Sequence, residues 1–452
     1  MHFAVKQFFY TSHPHAERAF EWTTQEKPYR ESRTTRGMVF SAESSSKLSM
    51  LCRDLLSELE KADTKRASLL AFEVAATNYK VRANIPHNHA RLGFVSSDPS
   101  HLAEQLNAAI GRLASHGSAA TWTLPRQGVV YHSQGLVRKG DRRSPKVAAL
   151  FSGQGSQYVN MFDTVAMHWP TFRNSVVAMD EAGEDVCGKT ASGAMYPRAA
   201  YGWEDGMDTA NSKALGTALL AQPTTVACTV GTYDIFTKAG FAPDFAAGHS
   251  LGEISALYAS GSVDRETMCN LVWQRSNAMS RLSGKGSKVG GMAAIIGENA
   301  NKINITVQGV WVANMNSPKQ VVITGEKVKV EEQGRLLSSK GFKVVALDVG
   351  DAFHSPHMAA AADEFAKHVA RANVKGTTSK IQVFSNVTGK PYPENDPTAV
   401  KDMLKQHMVS SVKFIDQVES MYAKGARVFV EFGPRSTLTK LAEQILKPKN
   451  DP

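Results

Sequence analysis

The pentapeptide Gly248-His249-Ser250-Leu251-Gly252 places a serine between two glycines, each two positions away. This is the G-x-S-x-G pattern of a nucleophile elbow. Its glycines permit a sharp strand-to-helix turn that leaves the serine hydroxyl exposed, and the following residue's N–H can face a developing oxyanion. The apolar run Phe245-Ala246-Ala247 supplies the strand, and Glu253 to Ser260, stopped by Gly261, supplies the helix. A serine hydroxyl needs a base. Of the 14 histidines, His354 is the best placed, in Asp351-Ala352-Phe353-His354-Ser355-Pro356-His357. A loop histidine that merely packs is the alternative at that position.

The elements that would hold these residues follow from the apolar runs. Val147 to Phe151 ends in Gly153-Gln154-Gly155-Ser156-Gln157, Phe245 to Ala247 ends in the serine motif, and Arg427 to Phe432 ends in Gly433-Pro434. Each leads through a glycine turn into a helix, which argues for a mainly parallel sheet covered by helices on both faces. Between the second and third runs the pattern changes. Gly291–Gly297, Val310–Asn314, Gln320–Thr324 and Phe342–Val349 read as strands, with a short helix or turn near Glu298–Ile303 and a helix over Val328–Ser339. The order βαββαβ predicts a ferredoxin-like subdomain over 285–351, inserted in an α/β core of residues 146–284 and 352–446. The glycine-rich stretch Ser283–Gly291 would be its hinge. It has no GxxxxGK[ST] and is not read as a phosphate loop. Upstream, strands at Met38–Ser41 and Ala90–Ser96, a helix carrying Leu48, Leu51, Leu55, Leu56 and Leu59, and a helix over His101–Leu113 capped by Asp98 or Ser100 predict a small α/β unit within 37–145. Residues 1–36 read as linker and 114–145 as a connector.

With 452 residues, 42% hydrophobic and 21% charged, the chain can bury a large core. The most apolar stretch, Ala214 to Val230, is interrupted by Gln222, Pro223 and threonines, so no membrane span is expected. No signal-peptide pattern opens the chain, and a cytoplasmic location is expected. Cys52, Cys187, Cys228 and Cys269 lack CxxC spacing, which argues against structural zinc and for free thiols. Net charge is unevenly spread: residues 1–146 hold 21 Lys+Arg against 13 Asp+Glu, the remainder 31 against 29. A basic first third suits attraction of an acidic partner. No zinc finger, basic helix or RNA-binding signature accompanies it, so nucleic acid is not expected.

GQGSQ (153–157), GHSLGE (248–253), Gln274-Arg275, GMAAIIG (291–297), NSP (316–318), AFHS (352–355) and EFGP (431–434) occur in this order. Together they resemble the malonyl-CoA:acyl carrier protein transacylases and the acyltransferase domains of polyketide synthases, over about residues 146–446. FAAGHSLGE, FSNVTG, QHMVSSVKF and ARVFVEFGP bring the likeness nearest to polyketide-synthase-like polyunsaturated fatty acid synthases. Residues 38–113 resemble the linker subdomain between ketosynthase and acyltransferase.

The resemblance implies a hydrolase-like core and a set of roles. Ser250 would be the nucleophile, His354 its base, and Gln154 and Leu251 the donors of the oxyanion hole. The backbone carbonyl of Lys413 would orient the histidine. Arg275 would grip the malonyl carboxylate, a role that suits a guanidinium because its planar fork pairs bidentately with carboxylate. Phe353, His249, Met292 and Asn316 would line the acyl site, with Phe353 a steric gate and Asn316 more a turn residue than a ligand. Glu253 would favour the start of the elbow helix. The implied activity is malonyl transfer from malonyl-CoA to the phosphopantetheine thiol of an acyl carrier protein. It needs no metal and no resident cofactor, and its neighbours would be synthase domains such as a ketosynthase, in a chain cut from a longer polypeptide. Two rivals are a thioesterase-type serine hydrolase and a non-catalytic docking module. Against the first stand GQGSQ, the insert and Arg275; against the second stands the intact set Ser250, His354, Gln154 and Arg275.

Overall fold

The computed structural model describes residues 36–79, 85–135, 145–197, 207–282, 290–378 and 380–449. All but the last residue of the expected linker over 1–36, the basic run at 138–143 and most of the expected hinge, 283–289, lie outside them; Arg36 itself opens the first strand. The chain divides into two compact units at Pro145/Lys146.

In the first unit, β1 (Arg36–Ala42), β2 (Ala90–Ser96), β3 (Thr121–Leu124) and β4 (Val129–His132) form a sheet in the order β1-β2-β4-β3, with every pairing antiparallel. Its buried face carries Met38, Phe40, Leu92, Phe94, Trp122 and Tyr131. These alternate along the strands as the two-residue period of a pleat requires. Helices Ser45–Glu60 and Pro99–His116 bring the leucines that meet them. Asp98 is the cap of the second helix: its carboxylate accepts the His101 N–H at 2.9 Å, and Pro99 occupies the first turn. Two expectations need revision. Residues 114–145 are not a plain connector, since they supply β3 and β4. A third helix, Lys65–Asn78, joins the two that the leucine spacing and the Asp98 cap predict.

In the second unit β5 (Lys146–Phe151), β6 (Phe245–Gly248), β11 (Gln382–Phe384) and β12 (Ala426–Phe432) form a parallel sheet in the order β11-β6-β5-β12. A sheet covered on both faces needs strands that are apolar throughout. Here Ala149, Phe151 and Ala246 pack into one core, while Ala148, Leu150, Phe245 and Ala247 pack into the other. The first core is closed by helices Pro170–Cys187, Ala218–Lys238, Arg265–Leu282 and Ala359–Arg371, the second by Phe414–Ala423 and Thr437–Leu446. The apolar stretch around Gln222 is therefore a buried central helix. Among the described residues no helix is long and apolar enough to cross a membrane.

The segment between β6 and β11 carries β7 (Gly290–Ile296), β8 (Val310–Ser317), β9 (Gln320–Glu326) and β10 (Lys343–Ala346), an antiparallel sheet in the order β10-β7-β9-β8. Helix Lys327–Ser338 packs on it through Val330 and Leu337. The first crossover is only a 3-10 turn, Ala300–Lys302.

Candidate active site

Ser250 sits where β6 gives way to helix Gly252–Ala259, with φ +50°. A non-glycine residue tolerates that left-handed backbone only where its surroundings over-determine it. Here they do. A Cβ on Gly252 would lie 2.1 Å from the Phe151 carbonyl oxygen, and one on Gly153 would lie 2.3 Å from that of His249. Both glycines are thus required for the elbow and the GQGSQ loop to approach each other. The Ser250 N–H donates to Asn386 Oδ1 at 2.9 Å, and Asn386 Nδ2 donates to the Gly248 carbonyl at 2.9 Å. Asn386 also donates through its own N–H (3.0 Å) and its side chain to the Glu253 carboxylate, which accepts Tyr392 Oη–H as well. Burial pushes the Glu253 carboxyl up, against these donors.

His354 meets the serine from the far side of the insert. Its Nε2 lies 2.7 Å from Ser250 Oγ. Its Nδ1 faces two backbone carbonyls, Ser410 at 3.0 Å and His407 at 3.2 Å. Carbonyls only accept, so Nδ1 carries the proton and Nε2 is left free to receive one from the serine. This corrects the expectation for Lys413. Its carbonyl accepts the Gln417 N–H as the first bond of helix Phe414–Ala423, and its N–H donates to the Asn386 carbonyl at 3.0 Å. Lys413 therefore supports Asn386, and the orienting carbonyls lie three and six residues upstream. The same segment is tied to the insert: Met315 N–H donates to the Val412 carbonyl and Val412 N–H to the Ala313 carbonyl, both at 2.8 Å.

Ser250 and His354 open onto a cavity of about 300 Å³ whose lining includes Gln154, His249, Arg275, Met292 and Phe353. Arg275, from helix Arg265–Leu282, is 2% exposed. Its Nη1 donates to the neutral Gln222 side chain, and its Nε has no partner. Burial lowers it to about 10, a value at which it is still charged at neutral pH. A buried guanidinium with one neutral partner is set to receive an anion. Asn316 does not line the cavity. Its Oδ1 lies 2.7 Å from His249 Nε2, so it orients a residue that does. Gln154, from the GQGSQ loop, lines the same cavity as Ser250, and Leu251 follows Ser250 in the elbow. With the Ser250 N–H spent on Asn386, Leu251 is the elbow's available donor.

Sequence reasoning missed Asn386, Tyr392, Gln222 and the cavity-lining Met279, Asn314 and Leu347. Asn386 lies in the FSNVTG run, and Gln222 precedes a proline inside a helix; both are visible as oddities of sequence but not as neighbours of Ser250. Among the described residues no cluster of His, Cys, Asp or Glu is arranged to hold a metal, and the cysteines are free.

Residues 149–451 match the family model described as acyl transferase domain. The chain is 40% identical over 429 residues to a polyunsaturated fatty acid synthase polypeptide of Thraustochytrium sp., which is 93% of this chain but 15% of the length of that protein. It is 30% identical over 308 residues to the malonyl CoA-acyl carrier protein transacylase of Bacillus subtilis, covering 66% of this chain and 90% of that one. A solved complex of a type II polyketide synthase acyl-carrier protein with its malonyl-transacylase is similar at a TM-score of 0.58 and 28% identity, over 67% of this chain and 93% of that chain.

Proposed function

Because the chain belongs to the acyl transferase domain family, we propose that this acyltransferase moves malonyl groups from malonyl-CoA to the phosphopantetheine thiol of an acyl carrier protein, by a ping-pong route through a malonyl ester on Ser250. The observation that carries the reading is a serine–histidine dyad sharing one cavity with a buried arginine whose Nε has no partner. His354 Nε2 takes the Ser250 proton as Oγ attacks the thioester carbonyl. The Gln154 and Leu251 N–H groups face the oxyanion. The C–S bond breaks, His354 returns its proton to the CoA thiolate, and the malonyl group remains on Ser250 with its carboxylate on Arg275. The carrier thiol then attacks, giving its proton to His354, and Ser250 Oγ leaves as the hydroxyl. The cofactor arm belongs to the partner, so no metal or resident cofactor enters.

In this reading the parallel sheet is a hydrolase-like core and the antiparallel sheet a ferredoxin-like insert. The unit before Lys146 is a linker subdomain beside further synthase domains such as a ketosynthase, and the product supplies extender units for polyunsaturated fatty acid or polyketide chains. A thioesterase is disfavoured by the orientation of His354, which rests on two carbonyls where such hydrolases bring a carboxylate.

The test is intact-protein mass spectrometry after exposure to malonyl-CoA and acetyl-CoA, followed by transfer to holo carrier protein. The expected result is a malonyl adduct mapped to Ser250 and absent in Ser250→Ala. Arg275→Ala should lower the malonyl-to-acetyl ratio of kcat/KM by about two to four orders of magnitude, the scale of a lost bidentate ion pair. An unchanged ratio would give the carboxylate to another residue, and hydrolysis without transfer would restore the thioesterase.

A further inference from the structure

How the site tells a charged acyl group from a neutral one has a second layer, which rests on the malonyl reading above. Serine attack turns His354, itself 6% exposed, into an imidazolium at the base of the cavity. Arg275 from helix Arg265–Leu282 and His249 from the elbow line the same cavity as that ring, and His407, just after helix Pro397–Gln406, meets it edge-on with ring centroids 5.7 Å apart. Asp348 stands on the exposed rim of the cavity. His249 and His407 are pushed down, chiefly by burial, and are neutral at physiological pH. The buried carboxylate nearest the elbow, Glu253, is taken up by Asn386 and Tyr392, with His407 Nε2 at 3.6 Å. Arg275, which feels Glu253 only through space and donates to neutral Gln222, therefore brings positive charge to bear on the base. Burial, and after it the Arg275 guanidinium, bring the His354 imidazole down to about 3. In a low-dielectric site two neighbouring cations oppose each other strongly.

We infer that the substrate's carboxylate, by pairing with Arg275, removes the charge that opposes proton transfer from Ser250 Oγ to His354 Nε2, so that the site selects a carboxylated thioester in the chemical step as well as in binding. An acetyl thioester leaves the guanidinium unpaired and the base weak. The malonyl ester keeps the pair in place, so the base stays strong for attack by the carrier thiol.

A neutral probe separates this effect from binding. Phenylmethylsulfonyl fluoride forms an Oγ–S bond with Ser250 as the S–F bond breaks; fluoride leaves and the serine proton passes to His354. Its rate of modification is measured from pH 4 to 9 in the wild-type chain, Arg275→Gln and Arg275→Lys. In Arg275→Gln the neutral-pH plateau should rise by roughly tenfold and the acid limb should move up by about one pH unit or more, the scale of one unit charge sharing a partly buried cavity with the base. Arg275→Lys keeps the charge and should show neither change. A merely loosened site would not raise the plateau while moving the limb. An unmoved limb in the Gln variant, or an equal move in the Lys variant, overturns the inference.

A second measurement needs no variant. In single-turnover acylation of the wild-type chain at saturating thioester, the acid limb for malonyl-CoA should lie at higher pH than that for acetyl-CoA. Coincident limbs overturn the inference. Failure of malonyl-CoA to acylate Ser250 at all would sink the functional reading, while the sulfonyl fluoride profiles would still report whether Arg275 acts on His354.

Discussion

Asn386→Ala probes how the elbow is held. The side chain is 1% exposed and makes three contacts under Ser250: it accepts from the Ser250 N–H, donates to the Gly248 carbonyl, and donates to Glu253. Truncation leaves all three groups buried without that partner. At about 1 kcal/mol each, the low end for an unsatisfied buried group, the variant should lose roughly 3 kcal/mol of stability. Part of that loss falls on Ser250, whose φ of +50° is the strained position these bonds support. A nucleophile displaced by about an ångström costs on the order of a hundredfold in rate. Acylation measured by rapid quench and mass spectrometry should slow by that factor. KM for malonyl-CoA should change little, because Arg275 and its Gln222 contact are untouched. If urea titration shows the stability loss but acylation runs at the wild-type rate, the Asn386 bonds do not set the geometry of Ser250, and the glycine contacts alone must hold it.

Gly252→Ala should destabilise the chain by about 3 kcal/mol or more and abolish acylation, since its Cβ would lie 2.1 Å from a backbone oxygen that cannot swing aside; a folded, active variant would show that the two strands' turns can separate. Asp180, 6% exposed and accepting the Ser192 N–H at 2.8 Å, is raised to about 6, chiefly by burial. Its folded value lies above its unfolded one, so its contribution to stability is full below about pH 4 and is lost as pH rises through 6. The urea-derived stability of the wild type relative to Asp180→Asn should therefore fall by about 2 kcal/mol between pH 4 and pH 7, and a difference that stays constant across that range would count against a buried, proton-holding Asp180.

What is legible in the sequence follows the physics of each signal. Strands buried on both faces announce themselves as apolar runs, and β5, β6 and β12 can be read to within a residue or two. β11, three residues on the edge of the same sheet, has no run long enough to notice. The hairpin of β3 and β4 is lost for a related reason. Trp122 and Tyr131 alternate with polar or exposed neighbours over only four residues each, in a stretch dominated by glycine, serine and charge. The helix Lys65–Asn78 buries only Phe72, Ala75 and Ala76, too narrow a stripe to stand out.

The site divides along a different line. Ser250, His354 and Arg275 are legible because their chemistry restricts what residue type can stand there. The groups that orient them are not, because orientation is done largely by backbone. Any residue offers a carbonyl, so nothing in QHMVSSVKF marks His407 and Ser410 rather than Lys413 as the partners of His354 Nδ1. The choice is made by the start of helix Phe414–Ala423. Its first carbonyl must serve Gln417, which withdraws Lys413 and leaves the carbonyls before it facing the histidine. Asn386 is the mirror case, a specific side chain with an indispensable geometry, 136 residues from the serine whose N–H it accepts. No local period could connect the two. The link runs through β11 lying beside β6 in the sheet, which carries Asn386 past the end of one strand to the turn at the end of the other. Sheet order, a property of the whole chain, thus decides the environment of Ser250.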